Sequence, residues 1–97
     1  MRLFAVIRMR GGGWQQWVPL EQQRGWKAHA EFMDGLHEEG FVALGGPLEG
    51  TPDVLLIVRA NDEDEIVERL AADPWSEADM LRIGRIAPWT VRLGELS

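Results

Sequence analysis

Two residues far apart in the sequence have the types and local settings that a proton-transfer site needs. His29 lies in a stretch with helical periodicity, and Asp73 precedes a proline. Imidazole is the side chain that titrates nearest to neutrality, and a fixed carboxylate can orient it and favour one tautomer. Both residues also have a structural interpretation, in which His29 packs at the rim of the core and Asp73 caps a short turn that begins at Pro74.

Few other residues are of a type that could bind a metal or cofactor or act as a nucleophile. His37 is expected near the end of the same helix, exposed or half exposed, where it interacts with the helix dipole. Its spacing of eight residues from His29 does not suit a two-histidine metal site, which uses positions i and i+4 of a helix, so no metal is expected. The chain has no cysteine, which excludes a disulfide framework and a thiol nucleophile. Gly11-Gly12-Gly13 lacks the spacing of a phosphate-binding loop, and we expect no nucleotide or other cofactor.

Several residues are candidates for binding a substrate. Glycine in Gly46-Pro47 would let a ligand approach the backbone closely, although a tight turn that closes a strand explains the same two residues. Arg8 and Arg59 are expected near the ends of neighbouring strands, either as a clamp for a substrate carboxylate or as solvated surface residues. Trp75 follows the Asp-Pro step and is expected beside the pocket.

Tryptophan is unusually frequent, with five residues and no tyrosine. Packing in a core or an interface is the default explanation for so many large aromatic side chains. Trp14 and Trp17 lie in the first loop, and either of them is a candidate for a lid over the pocket.

Length, composition and charge restrict the class of protein. A chain of 97 residues with 45% hydrophobic residues predicts one small globular domain over residues 1–97. The net charge of −6 and the scattered arginines do not predict a nucleic-acid partner, which requires a basic patch. The longest apolar run, residues 54–58, is far shorter than a membrane span, and the first residues do not resemble a signal peptide. We therefore expect a cytoplasmic protein without a membrane partner.

The elements that must position these residues follow from periodicity and from breaks at proline and glycine. The sequence predicts strands at 2–9, 41–45, 53–60 and 82–93, and helices at 19–39 and 65–72 with a short helical turn after Pro74. Pro88 within the last strand indicates an edge position or a bulge. The order β-α-β-β-α-β predicts an α+β, ferredoxin-like fold, with a four-stranded antiparallel sheet and two helices on one face.

The sheet predicted in this way has two apolar faces. In the first strand Leu3, Ala5 and Ile7 point to one side and Phe4 and Val6 to the other, and the third strand alternates in the same manner. Two helices can cover only one face, and a bare apolar face would be an unusually large exposed patch. The pattern therefore predicts a homodimer in which two sheets pack face to face.

Taken in order, the motifs resemble those of the YciI-like (YCII-related) family of small proteins. They are a helical histidine, a strand ending in Gly-Pro, an apolar strand, an Asp-Pro-aromatic step and a Pro-aromatic step in the final strand: His29, Gly46-Pro47, 54–58, Asp73-Pro74-Trp75 and Pro88-Trp89. The resemblance implies a dimeric α+β barrel with a His-Asp pair in a pocket. It also implies kinship with a dehydrochlorinase that acts on a chlorinated aromatic compound, although most members have no assigned activity. The chain departs from the family in a short turn after Pro47 and in its Trp-rich glycine loop.

With the resemblance added, the functional interpretation of the pair is favoured. The expectation is a small cofactor-free enzyme, a lyase or isomerase of the dehydrochlorinase kind, that acts on a small cyclic or aromatic acid. His29 is then the general base and acid, and Asp73 orients it. Two alternatives stay open, because one fold serves many functions: a non-catalytic module that binds a small molecule or a protein, and a cofactor-free oxygenase.

Overall fold

The strands and the two longer helices follow one another in the predicted order, but the helix predicted at 19–39 begins only at Trp26, after a separate turn of 3-10 helix. A computed structural model describes residues 1–95, so residues 96 and 97 of the predicted domain lie outside the described part. The elements are β1 (Arg2–Arg10), a single turn of 3-10 helix (Leu20–Gln22), α1 (Trp26–Glu38), β2 (Val42–Pro47), β3 (Asp53–Ala60), α2 (Glu63–Ala71), α3 (Pro74–Glu77) and β4 (Leu81–Pro88). The α+β order is confirmed, and no helix in residues 1–95 is both long and apolar enough to cross a membrane.

The four strands form one antiparallel sheet in the order β2-β3-β1-β4. The two central strands are β1 and β3, and the residues of β1 from Arg2 to Met9 pair with β3 without interruption. This arrangement confirms the predicted ferredoxin-like sheet. It also leaves β2 and β4 as edge strands.

The helices and one face of the sheet enclose the main core. Phe4 and Val6 of β1 are buried beside their partners in β3, Val58 and Leu56. Leu36 of α1 and Ile66 and Leu70 of α2 belong to the same buried cluster. The Asp62 carboxylate accepts a hydrogen bond of 2.8 Å from the backbone N–H of Glu65, so α2 begins at a side-chain cap.

The end of β2 differs from the expectation, because Gly46-Pro47 does not form the turn. Both residues belong to β2, where Gly46 pairs with Leu55 and Pro47 with Val54. An edge strand tolerates proline because one side of it needs no N–H for the ladder. The chain turns later, at residues 48–51, where Gly50 has φ +80° and the N–H of Thr51 donates to the Leu48 carbonyl.

The end of β4 is also earlier than predicted. The strand ends at Pro88 rather than at residue 93, although the N–H of Trp89 still donates to the Leu3 carbonyl of β1 at 2.9 Å. As Pro88 indicates, β4 is an edge strand. The bulge lies elsewhere: Ile7 pairs with Arg85 and Arg8 with Ile83, so the intervening Gly84 has no partner in β1.

Candidate active site

Asp73 begins α3 and is completely buried. Its Oδ1 accepts a hydrogen bond of 2.9 Å from the backbone N–H of Trp75, which is the capping contact expected of an Asp-Pro step. Pro74 at the first helical position needs no hydrogen bond and has the φ that a helix requires. The local sequence therefore fixes where this carboxylate lies.

The imidazole of His29 meets the same carboxylate from α1. Nδ1 of His29 lies 3.0 Å from Oδ1 and 2.9 Å from Oδ2 of Asp73, and the histidine is 9% exposed. Because an ionised carboxylate can only accept, Nδ1 is the nitrogen that carries the proton of the neutral ring. The lone pair of the neutral imidazole is then on Nε2.

Arg8 reaches this carboxylate from the sheet. Side chains alternate along β1, so Arg8 lies on the same face as Phe4 and Val6 and is only 1% exposed. Its Nη1 donates to Oδ2 of Asp73 at 2.8 Å, and its Nη2 donates to Oγ of Ser76 at 2.8 Å. Among the buried side-chain nitrogen and oxygen atoms of residues 1–95, Nε of Arg8 is the one that has no hydrogen-bond partner. Both terminal nitrogens of the Arg8 guanidinium therefore donate to residues of α3 or its cap.

These contacts set the charge of the carboxylate. Burial by itself would raise the pKa of Asp73, but hydrogen bonds from His29, from the backbone of Trp75 and from Arg8 outweigh it and hold that pKa below its ordinary value of 3.8. Asp73 is therefore ionised at neutral pH. One buried anion consequently joins α1, α3 and β1.

Two indoles contact the imidazole, and a third packs against one of them. The ring of Trp75 stacks on that of His29 with centroids 4.0 Å apart and an angle of 8° between the planes. Nε1 of Trp75 donates to the Arg24 carbonyl at 2.7 Å, just before α1 begins. Trp26 is tilted against His29 at 5.9 Å, and Trp14 meets Trp75 edge to face at 5.5 Å. The orientation of the imidazole is therefore set by a stacked ring on one face and a carboxylate at Nδ1.

A cavity of about 360 Å³ opens beside the imidazole. His29 lines it together with the predicted binding residues Arg8, Gly46, Pro47 and Trp75. Asp73 is not among the lining residues, because it lies behind His29 and Arg8. Most of the remaining wall is apolar: Trp14, Leu20, Trp26, Met33, Val54, Leu56 and Leu81. The volume of the cavity is at the lower end of the range for sites that bind small molecules.

Gly46 has the open surroundings that close approach of a ligand requires. A Cβ built on Gly46 would meet no atom within 4 Å, whereas one on Gly45 would meet Cδ2 of Leu56 at 2.7 Å. The two glycines therefore have different structural roles: Gly45 leaves room for the side chain of Leu56, and Gly46 leaves space in the cavity.

One expectation about this region is wrong, and one of two alternatives for the first loop does not fit. Arg59 cannot act with Arg8, because it pairs opposite Leu3 while Arg8 pairs opposite Val54, toward the other end of the antiparallel ladder. Trp17 does not line the cavity and is 98% exposed, so Trp14 is the tryptophan of the first loop that covers the site.

Sequence reasoning missed several residues here. It did not predict Arg10, which lines the cavity, or Gln23, which is 3% exposed and holds the first loop through hydrogen bonds to the backbone of Gln15 and Val18. It also missed the partner of Arg8. Alternation along β1 contains the signal, because an arginine on the core face of a strand requires a buried acceptor.

His37 lies apart from this site. His37 is exposed, and its Nδ1 is 2.8 Å from the Val42 carbonyl. Within residues 1–95 no group of three or more His, Asp or Glu side chains is arranged to hold a metal ion.

Comparisons with known proteins agree with the fold. A similar solved structure is 5-chloro-2-hydroxyhydroquinone dehydrochlorinase from Burkholderia phenoliruptrix, in complex with 2,5-dihydroxybenzoquinone. The two sequences are 20% identical, the match covers 95% of each chain, and the TM-score is 0.55. At this identity the likeness shows the fold alone. No curated protein matches the chain in sequence. The family model of the YCII-related domain matches residues 14–90, which is most of the chain. The chain belongs to the YCII-related family.

Proposed function

We propose that this protein is a cofactor-free enzyme that moves a proton on a small cyclic or aromatic acid, as a lyase or isomerase. The observation that carries the proposal is the contact of Nδ1 of His29 with the buried Asp73 carboxylate, 2.9–3.0 Å away, while the same imidazole lines a cavity. Nε2 is then the basic nitrogen available to a bound molecule, and no hydrogen bond to it is found within residues 1–95. A general base needs this combination of access and orientation.

The reaction follows from these roles. Nε2 of His29 accepts a proton from the substrate, and the electron pair of the broken bond moves into the ring system of the substrate. In an isomerisation the imidazolium returns the proton at another position. In an elimination the same electron pair expels a leaving group such as chloride, and the proton passes to water. Asp73 keeps its charge and stabilises the imidazolium that forms.

The walls of the cavity favour a planar ring as substrate. Trp14 and Trp26 are partly exposed and offer aromatic surface to a bound ring, and most of the remaining wall is apolar. The dehydrochlorinase of the same fold is bound to a dihydroxyquinone, a ring of this kind. Dehydrochlorination of a chlorinated hydroxyquinol is therefore the first activity to test.

The test is chloride release from 5-chloro-2-hydroxyhydroquinone, followed by ion chromatography, and exchange of ring or α protons for deuterium in unchlorinated ring acids, followed by NMR. We expect His29→Gln to reduce the rate by roughly 100-fold or more, the usual contribution of a general base. Asp73→Asn should also reduce the rate strongly, because an amide can donate to Nδ1 of His29 and so place the proton on Nε2, where the base is needed.

His37→Gln is the matched control, since it removes the other imidazole outside the cavity and should leave the rate unchanged. Full turnover by His29→Gln would overturn the proposal. Binding of ring acids without turnover of any of them would favour the alternative, a module that binds a small molecule without changing it. Oxygen consumption with a hydroquinone would point to the oxygenase instead.

A further inference from the structure

Arg10 is a cationic residue at the cavity that has no anionic partner in the protein. It is exposed, it lines the same cavity as His29, and it makes no ion pair within 4.0 Å among residues 1–95. Its guanidinium carbon lies 4.6 Å from the ring centroid of Trp14, which also lines the cavity. A cation held over an indole is oriented by the ring while its N–H groups stay available.

Arg8 cannot perform this task, although it is the arginine that the sequence favours for binding a carboxylate. Two of its nitrogens donate to Asp73 and Ser76, and the side chain is 1% exposed. Its positive charge is balanced by the Asp73 carboxylate at 2.8 Å. A substrate anion that bound to Arg8 would have to compete with this buried pair.

The charges around the cavity make Arg10 important to an anionic ligand. The chain has a net charge of −6, so its overall field repels anions. Asp53 is the carboxylate among the lining residues, and it forms no ion pair with Arg10 within 4.0 Å. The Asp73 charge behind the wall is already paired with Arg8. Arg10 is thus the lining cation that a ligand can reach and that no carboxylate neutralises.

We propose that Arg10 anchors the carboxylate or phenolate of a planar ring acid at the rim of the cavity and so directs the ring toward Nε2 of His29. The inference rests on the proposed function for the class of substrate, but it concerns binding and not turnover. Arg10 is a specificity-determining residue in this scheme, and Trp14 positions it. The guanidinium fork suits a carboxylate because it can donate two parallel hydrogen bonds.

The experiment compares benzoate with benzamide, two probes of nearly equal size and shape that differ in charge. Binding to the full-length protein is followed by the quenching of tryptophan fluorescence, with NMR shifts of the Trp14 indole N–H to locate the probe. We expect benzoate to bind about tenfold tighter than benzamide, and Arg10→Met to remove this preference, because a guanidinium binds an anion more strongly than a neutral amide.

Arg59→Met is the matched control, because it removes the same charge from a residue that does not line this cavity and should keep the preference for benzoate. The inference is overturned if Arg10→Met retains the preference, if Arg59→Met abolishes it equally, or if the wild type does not bind benzoate more tightly than benzamide. The His29→Gln variant separates this question from the proposed function. It should still prefer benzoate, because Arg10 is unchanged, and this result does not depend on whether His29 is catalytic.

Discussion

At the scale of single residues, one carboxylate serves two purposes. Asp73 caps α3 through Trp75 and also holds the imidazole of His29 and the guanidinium of Arg8. The capping and orienting interpretations are therefore compatible, because a carboxylate has enough lone pairs for all of these donors. The cap even favours the second role, since it fixes the direction in which the other carboxylate oxygen points.

Removing this charge should destabilise the protein in a pH-dependent way. Asp73→Asn leaves the buried guanidinium of Arg8 without its anion, which typically costs about 3–5 kcal/mol in the free energy of unfolding at neutral pH. The pKa of Asp73 is lowered in the folded state, so its stabilising effect is complete above the ordinary value of 3.8 and is lost as the pH falls below it. The difference between wild type and variant should therefore shrink in acid.

Urea unfolding near pH 7 and near pH 3 measures this difference directly. The control is Asp34→Asn, an exposed carboxylate on α1, which should change stability by less than about 0.5 kcal/mol at either pH. A cost for Asp73→Asn that stays the same at both pH values would contradict the assignment of the charged form.

Residue types predict only part of this cluster. A helical histidine and an Asp-Pro step make a contact between His29 and Asp73 possible, because both helices lie on one face of the sheet, and the family resemblance makes that contact the expectation. The ion pair between Arg8 and Asp73 joins residues 65 positions apart, and nothing in the local sequence of either one identifies the other. The contact requires a particular position of α3 relative to β1. The local sequences of the two segments do not determine that position.

At the scale of elements, Trp75 connects the two helices that carry the site. Its ring stacks on His29 of α1, its Nε1 donates to the Arg24 carbonyl before α1, and its backbone N–H binds Asp73. A Cβ at Gly25, which has φ +79°, would lie 3.3 Å from this Nε1, so glycine permits the close approach of the two segments. The distance between α1 and α3 at the site therefore depends on this one indole.

Trp75→Phe tests this role, because it keeps an aromatic face and the backbone cap but removes the hydrogen bond to Arg24. We expect a loss of about 1–3 kcal/mol in unfolding free energy from the lost hydrogen bond and packing. The ring protons of His29 should also move in the NMR spectrum as the stacked indole is lost. Trp17→Phe changes a tryptophan that is 98% exposed and should do neither. Equal effects of the two variants would refute the role of Trp75.

Boundaries of elements show where local signals fail. The limits of β3 follow from its apolar run and the flanking polar residues, whereas α2 begins at Glu63, two residues before the predicted start, because Asp62 caps it. Gly46-Pro47 has the composition of a turn, yet it belongs to β2 because an edge strand accepts proline. Whether a strand is at the edge is a property of the whole sheet, so the local sequence could not decide it.

At the scale of the whole molecule, the sheet presents a second apolar face away from the helices. Leu3, Ala5 and Ile7 of β1 alternate with the core residues Phe4 and Val6 and therefore point to this face. Two apolar side chains near its margins are largely open, with Leu44 56% and Met9 46% exposed. Polar residues would be expected on a sheet face that always meets water.

We therefore predict that two copies pack these faces together as a homodimer. Light scattering of the wild type at micromolar concentration should give twice the mass of one chain. Ile7→Glu places a charge in the middle of the face, opposite Leu55, and should shift the protein to monomers, because an unpaired charge cannot be buried at such an interface. Val67→Glu adds the same charge to a half-exposed apolar residue on α2 and should remain dimeric. A monomeric wild type would refute the prediction, whereas dimers that persist in Ile7→Glu would place the interface on another surface and leave this apolar face unexplained.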